Sequence, residues 1–442
     1  MYRLLSQTAH TSIRKISPTR AVQKGIYRFL NNKKVTEEAL IDELCNRYSS
    51  FAKDRHILCI QDTTEMNFFS QVHRIKDNTG LGRLDGAKPM LGFKMHSTLM
   101  LDALNGEILG FSDVHLWHRP QEMPNRRERK SKSLPIEEKE SYKWIRAATK
   151  SKARLQEATM ITFVEDREGD IYEQLSSIGG ENAHYIIRSK NNRNTSNSSK
   201  VWNELEKQPT LGEFTLNLQT DHRKHRKKRK VTLKIRYAKV DITTGNGRVN
   251  GAAYPDKVDL NIVEAYEDRE GGLSWKLLTT HPISNFGDAF QIVDWYSQRW
   301  TIEQVHRLLK NQGFQLEESE LESGWAIRRL CLFMLSALLR IMQMNIAYNE
   351  PEGGQNIHDV YSDSEIECLK EVNSKIQGNT VKQQNLSNPE TLKWATWVIA
   401  RLGGWKAYHS QGPPGLIVLK RGLDKFYAIM YGWQMAKDVG TR

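Results

Sequence analysis

The chain alternates between two textures. In the first, apolar runs close on carboxylates. "HILCIQDTT" (56–64) predicts a buried strand with Asp62 at its end, and "MITFVEDREGD" (160–170) predicts another that runs out at Asp166. Between them, "LGFKMHSTLMLDALNGEILGFSDVHLW" predicts two strands joined at Asn105-Gly106, the strongest short hairpin signal. A charged stretch, "RRERKSKSLP", precedes a helix predicted over about 137–158, with Pro135 and an acidic first turn at its start.

Strand with Asp, hairpin, helix, strand with Asp is the order of a ribonuclease-H-like sheet, in which the ends of neighbouring strands bring distant carboxylates together. A β-rich texture follows. "AHYIIRSK" (183–190), "VTLKIRYAKV" (231–240), "VDLNIVEA" (258–265) and "SWKLLTT" (274–280) all read as strands. The span 190–280 therefore reads as an all-β insertion. It carries a basic loop, "HRKHRKKRK" (222–230), with seven Lys or Arg in nine residues. Helices return from about 286, and the tail from about 355 is helical with a break at "SQGPPG" (410–415). The apolar run Leu330–Leu339 is about half the length that spans a bilayer and predicts a buried helix.

One helical segment, "YSQRWTIEQVHRLLK" (296–310), gathers unusual chemistry. At about 100° per residue, Tyr296, Arg299, Glu303 and Lys310 fall within roughly 60° of one another, while Ile302, Val305, Leu308 and Leu309 lie mainly elsewhere. On its own this could be a solvated face with an Arg–Glu pair at i,i+4 spacing. His306 beside it reads most simply as a hydrogen-bonded helix residue.

Composition sharpens the picture. The 442 residues are 38% hydrophobic and 26% charged, as in a soluble globular protein, and can fill two or three domains. Lys and Arg number 65 against 52 Asp and Glu, a net +13, which favours a polyanionic partner such as nucleic acid over a membrane. Residues 1–36 contain no Asp or Glu and read as a DNA-contacting arm, with "AVQKGIYRFLNN" as ordered helix. Cys45, Cys59, Cys331 and Cys368 have no paired or metal-type spacing, which fits the reducing cytoplasm.

Asp62, Asp166 and Glu303 are each a weak signal alone. Converging, they would repel one another and would demand cations. Hard oxygen ligands suit Mg²⁺ or Mn²⁺, and two such ions suit phosphoryl transfer. Tyr296, Arg299 and Lys310 would then grip phosphates beside the metal site. Glu165, Glu168 and Asp170 flank Asp166 and stay open as further ligands.

With "QDTT", "EDREGD" and Y-x₂-R-x₃-E-x₆-K in order, the chain resembles the DDE cut-and-paste transposases of bacterial insertion sequences, in the branch named for its Y-R-E-K signature. The resemblance runs from "AVQKGIYRFLNNKKVTEEAL" to the "LGG…PPG" tail. It implies a metal-binding triad of Asp62, Asp166 and Glu303 holding Mg²⁺ or Mn²⁺, two ions in all. Tyr296, Arg299 and Lys310 would hold DNA near the cleavage site. Trp275 would stack on a base flipped out when the transposon end forms a hairpin, and Arg188 and Lys190 would bind DNA nearby. The implied reaction nicks one strand, uses the new 3′-hydroxyl to form a hairpin, reopens it and joins the end to target DNA, within a homodimer.

The predicted fold class is α/β: a ribonuclease-H-like catalytic core with an all-β insertion, plus N-terminal and C-terminal helical regions. The expected domains are a DNA-binding region (1–52), the core (53–189 and 284–350), the insertion (190–283) and a C-terminal dimerisation region (351–442). Asp62 lies nearer the N-terminus than in longer relatives, so a shortened end-recognition region is expected. Two alternatives stay open: an idle DNA-binding inhibitor of transposition, and a metal-dependent DNA nuclease on the same core.

Overall fold

A computed structural model describes residues 4, 11–84, 90–120, 134–218, 229–244, 254–349, 355–408 and 411–440. Its strands are β1 (His56–Asn67), β2 (Gly82–Arg83), β3 (Leu91–Asp102), β4 (Ile108–Trp117), β5 (Met160–Glu165), β6 (Ala183–Arg188), β7 (Gly212–Leu218), β8 (Arg229–Thr243), β9 (Lys257–Tyr266) and β10 (Ser274–Thr279). All ten join one mixed sheet in the order β2-β3-β1-β5-β6-β10-β9-β8-β7, with β4 also paired to β3. At its centre β1, β5 and β6 run parallel. Their apolar runs, such as Ile57–Ile60, have no exposed surface, as expected for parallel strands covered on both sides.

The helices are α1 (Ile13–Ile16), α2 (Arg20–Asn31), α3 (Glu37–Ser49), α4 (Tyr142–Arg154), α5 (Tyr172–Ser177), α6 (Val201–Glu206), α7 (Phe286–Ser297), α8 (Trp300–Arg307), α9 (Gly324–Asn349), α10 (Asp363–Ile376), α11 (Leu392–Leu402) and α12 (Leu416–Gly440). Helices α3 and α4 pack on β4, and α7 packs on β5, β8 and β9. Helix α9 is long and apolar enough to cross a membrane, but 72% of its apolar window is buried inside the fold. The run Leu330–Leu339 lies within it, which matches the expected buried helix.

The hairpin expected at Asn105-Gly106 joins β3 to β4, and Gly106 takes the positive φ of 74° that this turn requires. The N-terminal helices do not stand apart. Ile13, Ile16, Ile26 and Leu30 are buried in the common core, and Arg328 of α9 holds Glu37 of α3 at 2.6 Å.

Several expectations change. Asp62 is not at a strand end: β1 continues to Asn67 because β3 pairs with it all the way from Ile57 to Asn67. The helix expected over 137–158 is shorter, since Pro135 opens only a 3₁₀ turn (Ile136–Glu138) and α4 starts at Tyr142. The segment 190–283 is not all-β, because it contains α6, and β7 was not foreseen. Its strands join the core sheet, since β10 adds directly to β6. Of the basic loop at 222–230, residues 222–228 lie outside the described residues, as does most of the charged stretch at 126–135. Arg229 and Lys230 open β8.

The segment 296–310 is three pieces rather than one helix. Tyr296 ends α7, Arg299 caps α8, Glu303 lies within α8, and Lys310 sits in a π-turn over Leu308–Gln312. Gln298 and Arg299 keep helical dihedrals across the joint, and Arg299 stays beside both Tyr296 and Glu303.

Candidate functional site

Strand register assembles the site. Parallel pairing sets Ile60 beside Val164. Asp62 lies two residues beyond that pair on β1, and Asp166, just past the end of β5, is close enough for the two like charges to be felt. Glu165 pairs with Ile187, and Arg188 is the next residue along β6. Antiparallel pairing then sets Arg188 beside Leu277, and Trp275 lies two residues along the same strand. Level residues on adjacent strands, and residues two apart on one strand, share a face. Asp62, Arg188 and Trp275 therefore lie on the neighbouring strands β1, β6 and β10, with Asp166 just beyond the end of β5 between them.

Helices α7 and α8 lie over these residues. The Trp275 ring meets Tyr296 edge-on with centroids 5.6 Å apart. The Tyr296 hydroxyl faces the Arg188 guanidinium. Arg188 also donates to the carbonyl of Ser274 at 3.3 Å. His306 Nδ1 lies 3.6 Å from Asp62 Oδ2, and its Nε2 is 3.1 Å from Ser97 Oγ. Arg299 is ion-paired to Glu303 one turn further on.

The two aspartates are tuned apart. Burial works to raise the Asp62 pKa, but the His306 ring and the Arg299 guanidinium outweigh it and hold the carboxyl below its ordinary value. For Asp166, burial prevails, and the like charges of Asp62 and Glu168 add to it, so its pKa is raised. The Glu168 N–H donates to Asp166 Oδ1 at 2.7 Å and caps the turn Arg167–Gly169. No ion pair joins Asp166 to a basic side chain among the described residues. Lys310 is pulled below its usual pKa by burial, against the opposing attraction of Glu317, Glu65 and Asp62.

The acids around Asp166 have other work. Buried Glu165 accepts from Gln174 at 2.5 Å, and burial pushes its pKa well up. Glu168 pairs with Lys143 at 3.1 Å. Asp170 receives the backbone N–H of Lys190 at 2.7 Å and of Asn191 at 2.9 Å, and pairs with Arg193. It shapes the loop that presents exposed Lys190. Sequence reading missed this role, because no local signal links residues 170 and 190. It also missed Trp300, half exposed beside Arg299, with Arg307 over its ring at 5.6 Å.

The donor chemistry suits a hard divalent cation, since an anionic Asp166 facing Asp62 is the situation a cation relieves. The three acids are not gathered, however. Among the described residues no group of three or more His, Cys, Asp or Glu is poised to hold a metal ion, and Glu303 is engaged by Arg299.

Acidic and basic side chains thus meet over neighbouring strands of a mixed α/β fold. Residues 154–340 match the family model described as the transposase DDE domain, which supports a DDE transposase with a ribonuclease-H-like core. That span holds every candidate residue except Asp62.

Proposed function

We propose that the chain is a cut-and-paste DNA transposase of the Y-R-E-K branch, which cleaves transposon ends through a 3′-hydroxyl nick and a hairpin and joins them to target DNA. The observation that carries this reading is the grouping of Asp62, Asp166, Arg188 and Trp275 beneath Tyr296 and Arg299.

Asp62 and Asp166 would hold Mg²⁺ or Mn²⁺, with Glu303 completing the set once a DNA phosphate draws Arg299 away. The bound ions would supply an activated water or 3′-hydroxyl and stabilise the leaving oxygen. The chain's own groups do the rest. Arg299 and Lys310 bind phosphate oxygens beside the acids, and partial burial strengthens those contacts. Arg188 and Lys190 hold the strand one step along the sheet. Trp275 offers its ring to an unstacked base, with Tyr296 supporting it from the helix side. On α12, exposed Tyr431 and Met435, one turn apart on the same face, supply an apolar patch suited to a second copy of the chain.

The test is incubation with candidate transposon ends and Mg²⁺. Hairpin-ended products with wild type, lost in Asp62→Ala and Asp166→Ala, are expected. Cutting without joining would point to a nuclease. Binding without any cutting would point to an inhibitor of transposition.

A further inference from the structure

His306 is the buried polar group that the reading above leaves unused. It is 6% exposed, so its ring nitrogens are costly to bury without partners. A leucine would fill the same space between α8 and β3 without that cost. Both nitrogens have partners, and they come from two different strands. Ser97 Oγ on β3 lies 3.1 Å from Nε2, and Asp62 Oδ2 on β1 lies 3.6 Å from Nδ1. Ser97 is fully buried and pairs directly with Asp62 across the ladder.

A Ser97 hydroxyl that donates to Nε2 leaves the ring proton on Nδ1, the nitrogen that faces the carboxylate. The separation of 3.6 Å is longer than a full hydrogen bond, so Nδ1 faces one carboxylate oxygen and leaves lone pairs of Asp62 open. His306 also lies one helical turn beyond Glu303. The same short helix thus carries the third acid and steers the first.

We propose that His306, fixed by Ser97, is a positioning residue that orients the Asp62 carboxylate for a divalent cation. This rests on Asp62 and Asp166 being cation-holding acids, as proposed above.

The test uses the full chain, with Mn²⁺ as the probe, titrated by calorimetry, and melting temperatures measured alongside. His306→Asn places its amide N–H where Nδ1 stood, whereas His306→Gln places it near Nε2. Outer partners of a ligating carboxylate are worth about 10–100-fold in metal affinity, so Gln should weaken Mn²⁺ by about that factor while Asn stays within about threefold. Ser97→Ala should fall between them. Equal Mn²⁺ affinity in the Asn and Gln variants, whatever their melting temperatures, would overturn the positioning role. If Mn²⁺ binding is lost in Asp166→Asn yet indifferent to His306, this inference fails and the metal reading stands. If wild type takes up no Mn²⁺, both fail.

Discussion

Three histidines at the far end of the parallel strands take up protons more readily in the unfolded chain than in the native one. Thr162 bridges His56 and His281 at 2.8 Å on each side, and His184 stacks on His281 at 4.1 Å. Burial, helped by His184 and His56, lowers His281 to about 3, and burial with His184 lowers His56 to about 4. The unfolded chain therefore binds protons first as pH falls below the ordinary value of 6.5. Stability should be fully present above that pH and lost progressively towards the native values. The urea midpoint is expected to drop between about pH 7 and about pH 5, and His281→Asn should flatten that slope. At this same scale the Arg299–Glu303 ion pair was legible, because a spacing of four is a local pattern, whereas nothing local tells whether the three acids meet. The partners of His306 were not legible, since Ser97 lies 209 positions away.

Elements were legible where their causes are local. Asn105-Gly106 fixed the turn between β3 and β4 by its own dihedral preference. The full length of β1 was hidden, because "DTTEMN" is polar and extends only by pairing with β3. The joint between α7 and α8 was hidden because its residues keep helical dihedrals, so apolar periodicity runs through it. A buried ion pair also ties α3 to the core. Arg328 is 4% exposed at its side chain, and besides Glu37 it reaches the Leu116 carbonyl at 3.0 Å. Glu37→Ala would leave that guanidinium buried without its counter-charge, and a stability loss of about 3 kcal/mol is expected in urea unfolding.

Taken whole, the molecule is strongly basic, and its partner should be felt through salt. DNA affinity should fall linearly on a log–log plot against salt, and Lys310→Ala or Arg299→Ala should each reduce the slope by about one. An unchanged slope in both variants would remove these residues from phosphate contact. The single sheet has a further consequence. Because β10 is bonded straight onto β6, no hinge lies between the tryptophan and the aspartates. Their separation is set across the sheet by the pitch of the ladder, about 4.8 Å per strand, and along β10 by its register with β6. Moving the tryptophan closer or farther would take a shifted register or an added or deleted strand, so the arrangement behaves as a fixed gauge rather than an adjustable grip.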